Sequence, residues 1–456
     1  MKQLFILFFL ATLSIVIYAQ TEVEGNQFGT WYAANSPYRV IGDISIPSGE
    51  VLTIEAGVIV DFQGHYKILV AGNLQATGTE SDSIFFTSSN QATGWGGITF
   101  ETAALSKLAF CRMEYGKTAV GAEYPEKHGG AVRLLNSDVE FSNCMFTNNS
   151  ALPSQGMGGA VYGINTSETI FAHCKFYRNT GYSEGGAIKL TSDFYGEITD
   201  CEFIENSTNY GGGAIMFYSV VDTKVTNCLF AGNYTTYANG GALESLGVGL
   251  NTISFANCTM VGNSALNGPG GAGGFYFAQV DFVNCIVYNN SSAYDDDNVY
   301  IDAGTSSATV NYCNITMPEY NTTGSNNIDT DPLFIDQANG DFHLQESSPC
   351  IDAGIDIGLP FNGLAPDMGC FEYDETTYVN PLTAESLTIY PNPTSGYFTV
   401  FDIQSPVRQI VVCDISGQTV QTITNGENDI SSLSSGIYFL SIQTDNEHYF
   451  SKIIKR

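Results

Sequence analysis

The sequence predicts an all-β chain: a parallel β-helix (a solenoid) over most of its length, followed by a small C-terminal β-sandwich. Three observations carry this. The segment Cys-x-apolar-x-x-Asn recurs at a nearly constant spacing, paired glycines followed by alanine precede the copies, and the last ~70 residues change to short alternating strands with Ser-Gly turns.

Residues 1–19 read as a secretory signal peptide: Lys2, an unbroken apolar stretch, then Ile17-Tyr18-Ala19, with cleavage after Ala19 expected to leave Gln20. The apolar stretch is short for a membrane anchor. Residues 20–105 read as an N-terminal cap and first coils, from SPYRVIGDISIPSGEVLTIEAGVIVDF through GWGGITF, in alternating strands ended by glycine turns.

The repeat proper occupies residues 106–320. Six copies align without gaps, with cysteines at Cys144, Cys174, Cys201, Cys228, Cys258 and Cys285, at intervals of 30, 27, 27, 30 and 27 residues; degenerate copies sit at Cys111 and Cys313. A fixed period of this size means a repeat architecture. Each cysteine shares a strand face with the apolar residue two positions on (Phe146, Phe176, Phe203, Phe230, Met260, Val287). Apolar residues three before the cysteine, such as Ile198 and Val225, are out of phase, so one residue must turn the chain between two strands. That residue is Asn143, His173, Asp200, Asn227, Asn257 or Asn284, types that tolerate the left-handed conformation. Two strands and a one-residue corner every ~27 residues describe a β-helix coil, and no 3.6-residue periodicity competes. Stacking then makes an interior ladder of free thiols rather than disulfides or metal ligands. Asn149, Asn179, Asn206, Asn233, Asn263 and Asn290 make a further ladder in a turn, their amides bonding along the stack.

The glycine pairs begin at Gly129, Gly158, Gly185, Gly212 and Gly240, and each leads into a third strand; the register of the last copy, GGAGGF from Gly270, is ambiguous. The residue after GGA[VIL] should point outward: Arg133, Tyr162, Lys189, Met216 and Glu244, then Phe277 or Gly274. Loops leading into this strand carry Tyr124, Tyr182, Tyr210 and Tyr237. Together they could form an aromatic, charged groove for sugars, with ordinary exposed positions as the plainer reading. Lys189 and Arg133 are the bases a lyase would use, but no acidic cluster falls beside them, and hydrolysis would need a partner for Glu244. The run Asp295-Asp296-Asp297 could bind calcium only as a loop, and a solvated turn is the alternative. The formal charge of −31, from 47 acidic and 16 basic residues, argues against a nucleic-acid partner.

GGA[VI] followed by Asn-Cys-x-Phe-x-x-Asn resembles the right-handed parallel β-helix repeats of secreted and outer-membrane bacterial proteins, over about residues 30–320. Such folds include pectate lyases and polygalacturonases, so the resemblance specifies fold and hardly function. Residues 321–373, with Asp331-Pro332, Gly340-Asp341-Phe342, Ser348-Pro349-Cys350-Ile351-Asp352-Ala353-Gly354 and Asp367-Met368-Gly369, resemble a segment that closes such helices. It is expected to cover the last coil and block edge-to-edge association, consistent with a monomer. Cys370 departs from that pattern and leaves a Cys350–Cys370 disulfide open.

Residues 374–385 read as a linker. Over 386–456, Tyr390-Pro391-Asn392-Pro393, Asp414-Ile415-Ser416-Gly417, Gly436-Ile437-Tyr438 and the basic end with Lys455 and Arg456 resemble the C-terminal sorting domain of the type IX secretion system. The resemblance implies passage through that machinery, a Gram-negative Bacteroidetes-type source, removal of the domain, and attachment to or release from the cell surface. The expected role is glycan or surface binding; a pectate-lyase-like enzyme and a purely structural stalk are the alternatives.

Overall fold

The computed structural model describes residues 20–374 and 388–456, apart from 153–154, 193, 295–297, 319, 391, 402–406, 415–418, 425–427 and 445–447. The expected signal peptide lies outside the described residues, as does the linker apart from Asp374. The chain divides into two units, Met1–Tyr373 and Asp374–Arg456.

The first unit is a right-handed β-solenoid, and the strand pairings between successive coils are parallel and, apart from a bulge between Val23 and Gly25 in the first strand, in register. Three long ladders form its faces. One holds the strands after each cysteine, such as Met145–Thr147 and Lys175–Tyr177. A second holds the strands after each glycine pair, such as Val132–Leu135 and Val161–Ile164. The third is a twelve-stranded sheet that includes Val139–Ser142 and Ile170–Ala172. A short fourth ladder, from Ser150–Ala151 to Ser291–Ser292, follows the asparagines.

The corners explain why the coil closes. Asn143, His173, Asp200, Asn227, Asn257 and Asn284 all have φ between 49° and 53°, the left-handed region. A second left-handed corner, absent from the sequence reading, precedes each asparagine of the ladder: Asn148, Arg178, Glu205, Gly232, Gly262 and Asn289. The two glycines of each pair have different tasks. The first, such as Gly185 at φ 68°, adopts the left-handed conformation. The second has no room for a side chain: a Cβ on Gly186 would lie 1.9 Å from the Gly213 carbonyl oxygen of the next coil.

Phe146, Phe176, Phe203 and Phe230 stack through the interior with centroids 4.6, 4.7 and 4.9 Å apart and nearly parallel rings. Burying each contributes roughly 2 kcal/mol, and stacking adds about 1 kcal/mol per pair. All the repeat cysteines are buried and free. The Cys201 thiol accepts the Cys174 N–H at 3.3 Å and donates to the Thr199 carbonyl at 3.2 Å, and Cys313 does the same for Cys285 and Asn311. Along the asparagine ladder, Asn206 Oδ1 accepts both the backbone N–H (3.0 Å) and the Nδ2 group (3.0 Å) of Asn179. Its own Nδ2 donates to the Phe176 carbonyl and to Asn233 Oδ1. Every polar atom of these buried amides is thus satisfied by the neighbouring coils.

The closing segment covers the last coil, with Ile328 bonded to Cys313 and Ile315, and then continues past it. Thr322–Ser325 adds a final strand to the twelve-stranded sheet, and residues after it fold back along the flank of the cysteine ladder. Phe334, Phe342, Leu344, Cys350 and Met368 pack there against Leu229, Val261 and Ile286. The reason lies in the outward row of that ladder, which changes from Lys175 and Glu202 to Leu229, Thr259 and Ile286. Asn284 holds the segment by bonding both the N–H and the carbonyl of Ile355, each at 2.8 Å. Cys350 and Cys370 are separate free thiols. Asn314 Nδ2 lies 3.2 Å from Cys350 Sγ, the Cys370 N–H donates to Thr259 Oγ1, and burial pushes the thiols up to about 11 and about 12.

The second unit is antiparallel: a two-stranded ribbon, Thr388–Tyr390 with Thr399–Phe401, and a four-stranded sheet. Ile410, Val412, Leu440, Ile442 and Ile453 form its core.

Candidate functional site

The strand after each glycine pair aligns one outward residue per coil. The row runs Thr99, Arg133, Tyr162, Lys189, Met216, Glu244, Gly274 and Tyr300. The last glycine pair is therefore Gly270-Gly271, and Gly274, not Phe277, continues the row.

The row was expected to floor an open groove. Instead it is covered: Arg133, Tyr162, Lys189 and Glu244 are 1%, 6%, 3% and 6% exposed. The loops that enter the strand fold over its outer face, and side chains or backbone carbonyls beside the row take up its charges. Lys189 Nζ is paired with Glu184 at 2.7 Å and lies 4.7 Å over the Tyr218 ring. Arg133 donates to the carbonyls of Gly129 and Gly96. Tyr162 stacks on His128 at 4.5 Å, and His128 Nδ1 accepts the Met157 N–H. Glu244 accepts from Asn239 at 3.3 Å.

Burial governs the protonation of this layer. It pushes the Glu244 carboxyl up to about 8, against the opposing pull of Asn239 and Lys189. Burial also brings His128 down to about 4, aided by the cations of Lys127, Arg133 and Lys189. The Lys189 ammonium is lowered by burial, with Glu184 acting against the shift. The row's own ionisable side chains, Arg133, Lys189 and Glu244, and His128 above them are thus held within the protein.

What reaches solvent is the outside of the loop layer. Tyr182, Tyr210 and Tyr237 stand in consecutive coils, with centroids 6.5 and 5.8 Å apart. Tyr210 is 44% and Tyr237 60% exposed, and their rings are tilted rather than packed flat on each other. Tyr124 is exposed one side-chain layer above His128, meeting that ring edge-on at 5.9 Å.

Asp295, Asp296 and Asp297 lie outside the described residues. Among the described residues, no three His, Cys, Asp or Glu side chains are placed to hold one metal ion.

The sequence reading missed a cleft on the twelve-stranded sheet, lined by Tyr195, Asp222, Lys224, Thr252, Ser254, Gln279 and Asp281. The signal was the alternation of polar outward residues with Val225, Ile253, Phe255, Val280 and Phe282.

In the second unit the motif residues tie the chain ends of the sheet together. Asn392 bonds the Lys452 carbonyl and the Ile454 N–H, and Thr394 exchanges backbone bonds with Ile454 and Arg456. Gly436 opens the strand to Thr444, the Tyr438 hydroxyl donates to the Ser434 carbonyl, and Lys455 Nζ donates to the Arg456 carbonyl. Pro393 follows Asn392 in this turn, while Pro391 is outside the described residues.

A family model described as a right handed beta helix region matches residues 121–276. A second, described as a secretion system C-terminal sorting domain, matches residues 388–456. No curated protein matches the chain. The sorting domain supports export to the cell surface or beyond and engagement of the secretion machinery. The chain is a right-handed β-helix protein with a type IX secretion sorting domain at its C-terminal end.

Proposed function

We propose that this exported protein binds surface glycans without cleaving them, through the tyrosine row Tyr182, Tyr210 and Tyr237. The single observation that carries the reading is that row: three aromatic rings, one per coil, running along the helix axis, with Tyr182 half-buried and Tyr210 and Tyr237 exposed. Aromatic faces stack on the apolar faces of sugar rings, and a repeating array suits a repeating polymer. The buried state of Arg133, Lys189 and Glu244 favours binding over catalysis, because a general acid or base must reach the atom it serves. A pectate-lyase-like activity would instead require the covering loops to open.

Retardation of the purified protein in gels containing neutral or acidic polysaccharides tests this. Retardation by at least one polysaccharide, lost in a Tyr182→Ala/Tyr210→Ala/Tyr237→Ala variant, is expected. Retardation that survives the triple substitution overturns the tyrosine row. Release of unsaturated products with a rise in ultraviolet absorbance, abolished by Lys189→Ala, overturns the non-catalytic reading.

A further inference from the structure

We infer that the twelve-stranded sheet carries a second, separate saccharide site, specific for neutral sugars. The site is the cleft of about 490 Å³ that Tyr195 borders. Its size falls within the range of small-ligand pockets.

Its shape comes from strand length. In the coils before it the third-sheet strands are three and four residues long, Glu197–Thr199 and Thr223–Thr226. The next two are six residues long, Asn251–Ala256 and Ala278–Val283. The longer strands extend the outer face toward the preceding corner and leave a ledge. Tyr195, 49% exposed, stands at its edge.

Two columns of outward side chains floor the ledge. One is Lys224, Ser254 and Asp281, in register from coil to coil, with Glu197 next in the same column outside the lining. The other, two residues earlier on each strand, is Asp222, Thr252 and Gln279, with Tyr195 at the same offset before Glu197. Rungs are ~4.8 Å apart and the columns about 7 Å apart. Lys224, Ser254 and Gln279 supply donors, while Asp222, Asp281 and Gln279 supply acceptors. A sugar hydroxyl is both donor and acceptor, so such a mixed grid meets it on either count. Asp222 is held in place by the Thr252 hydroxyl at 3.0 Å.

Charge selects among saccharides. Glu197, Asp222 and Asp281 outnumber Lys224, which is itself paired with Glu197 at 3.4 Å. This leaves Asp222 and Asp281 as net negative charge facing the ligand, which repels uronates and sulfated sugars. Tyr195 is the one aromatic residue of the lining, and the side chains beside it are mostly polar.

The test is titration calorimetry of the full chain with cellohexaose, xylohexaose, mannohexaose and maltohexaose, with hexagalacturonate as the anionic probe. At least one neutral oligosaccharide should bind. Its affinity should fall about tenfold or more in Asp281→Ala and in Tyr195→Ala, as loss of one charged hydrogen bond or one stacking face implies. Leu364→Ala, at an exposed position outside both proposed binding surfaces, should leave it unchanged. Failure of every neutral probe to bind, preference for hexagalacturonate, or affinity unaltered in both cleft variants would each overturn the assignment. All three positions are at the surface, and an unchanged thermal transition confirms that each variant is folded.

Discussion

At the corners before Cys174, Cys201 and Cys285 the left-handed residue turns the next N–H out of the regular strand ladder, and the thiol of the following coil receives it. The Cys174 N–H points at Cys201 Sγ, while the Cys201 S–H faces a carbonyl two residues back. Cysteine is small enough for the corner and still offers a weak acceptor and a weak donor. This predicts a specific pattern of stability. Cys201→Ala and Cys201→Val should each lower the unfolding free energy by about 1–3 kcal/mol, measured by urea denaturation. Valine restores volume but not the acceptor, so full recovery in Cys201→Val would show that the thiol only fills space. The corner before each cysteine was legible because Asn and Asp dominate there. The second corner was not: Arg178 and Glu205 are types that rarely turn left-handed, and these two are held partly by their mutual ion pair at 2.6 Å.

The strand after each glycine pair shows where strand-level reasoning stops. Parity placed Arg133, Tyr162, Lys189 and Glu244 on the outer face, and the pairing register agrees. Whether an outer face meets water depends on the loops that follow it in space, and loop paths are not written in strand periodicity. The same holds for Leu229 and Ile286: their apolar character was readable, but not that a segment much later in the chain, Phe334 to Met368, would return to cover them. The covered row predicts a pH dependence. Glu244 has a folded pKa of about 8, above its unfolded value near ~4.3. Between these values the folded state binds more protons than the unfolded state, so stability falls as pH rises through that window. Glu244→Gln should remove this limb, so that its advantage over the wild type grows from about pH 4.5 to about pH 8 and then levels off. His128 works in the opposite sense: its folded value of about 4 makes stability rise with pH between there and ~6.5. Parallel stability curves for wild type and Glu244→Gln across this range would contradict the burial of that carboxyl.

Taken whole, the molecule separates tasks by region. The interior ladders of cysteine, phenylalanine and asparagine specify a scaffold, and the two candidate binding surfaces use side chains that the ladders leave outside. The C-terminal unit carries the sorting motif on its own small core. The scaffold was legible from the sequence because a buried ladder demands the same residue type at every coil. The sites were less so, because each coil contributes a different side chain to them.

The in-register stack has a consequence for the length of the protein. Within the stack each coil bonds to the coils before and after it, and the closing segment adds contacts only along one flank, as at Asn284 and Thr259. A coil is therefore a module that can be erased without a scar. Removing residues 201–227 joins Asp200 to Cys228, brings Asn179 against Asn233 and Phe176 against Phe230, and takes out Tyr210 alone from the tyrosine row. The shortened protein should fold cooperatively, with a circular dichroism spectrum of the same form and only weakened polysaccharide retardation; failure to fold would show that the coils are not interchangeable. Tandem duplication of the same 27 residues would run the process forward, lengthening the protein and its binding face together. The number of coils is then a quantity that gene duplication can adjust in whole steps, with reach and avidity following from it.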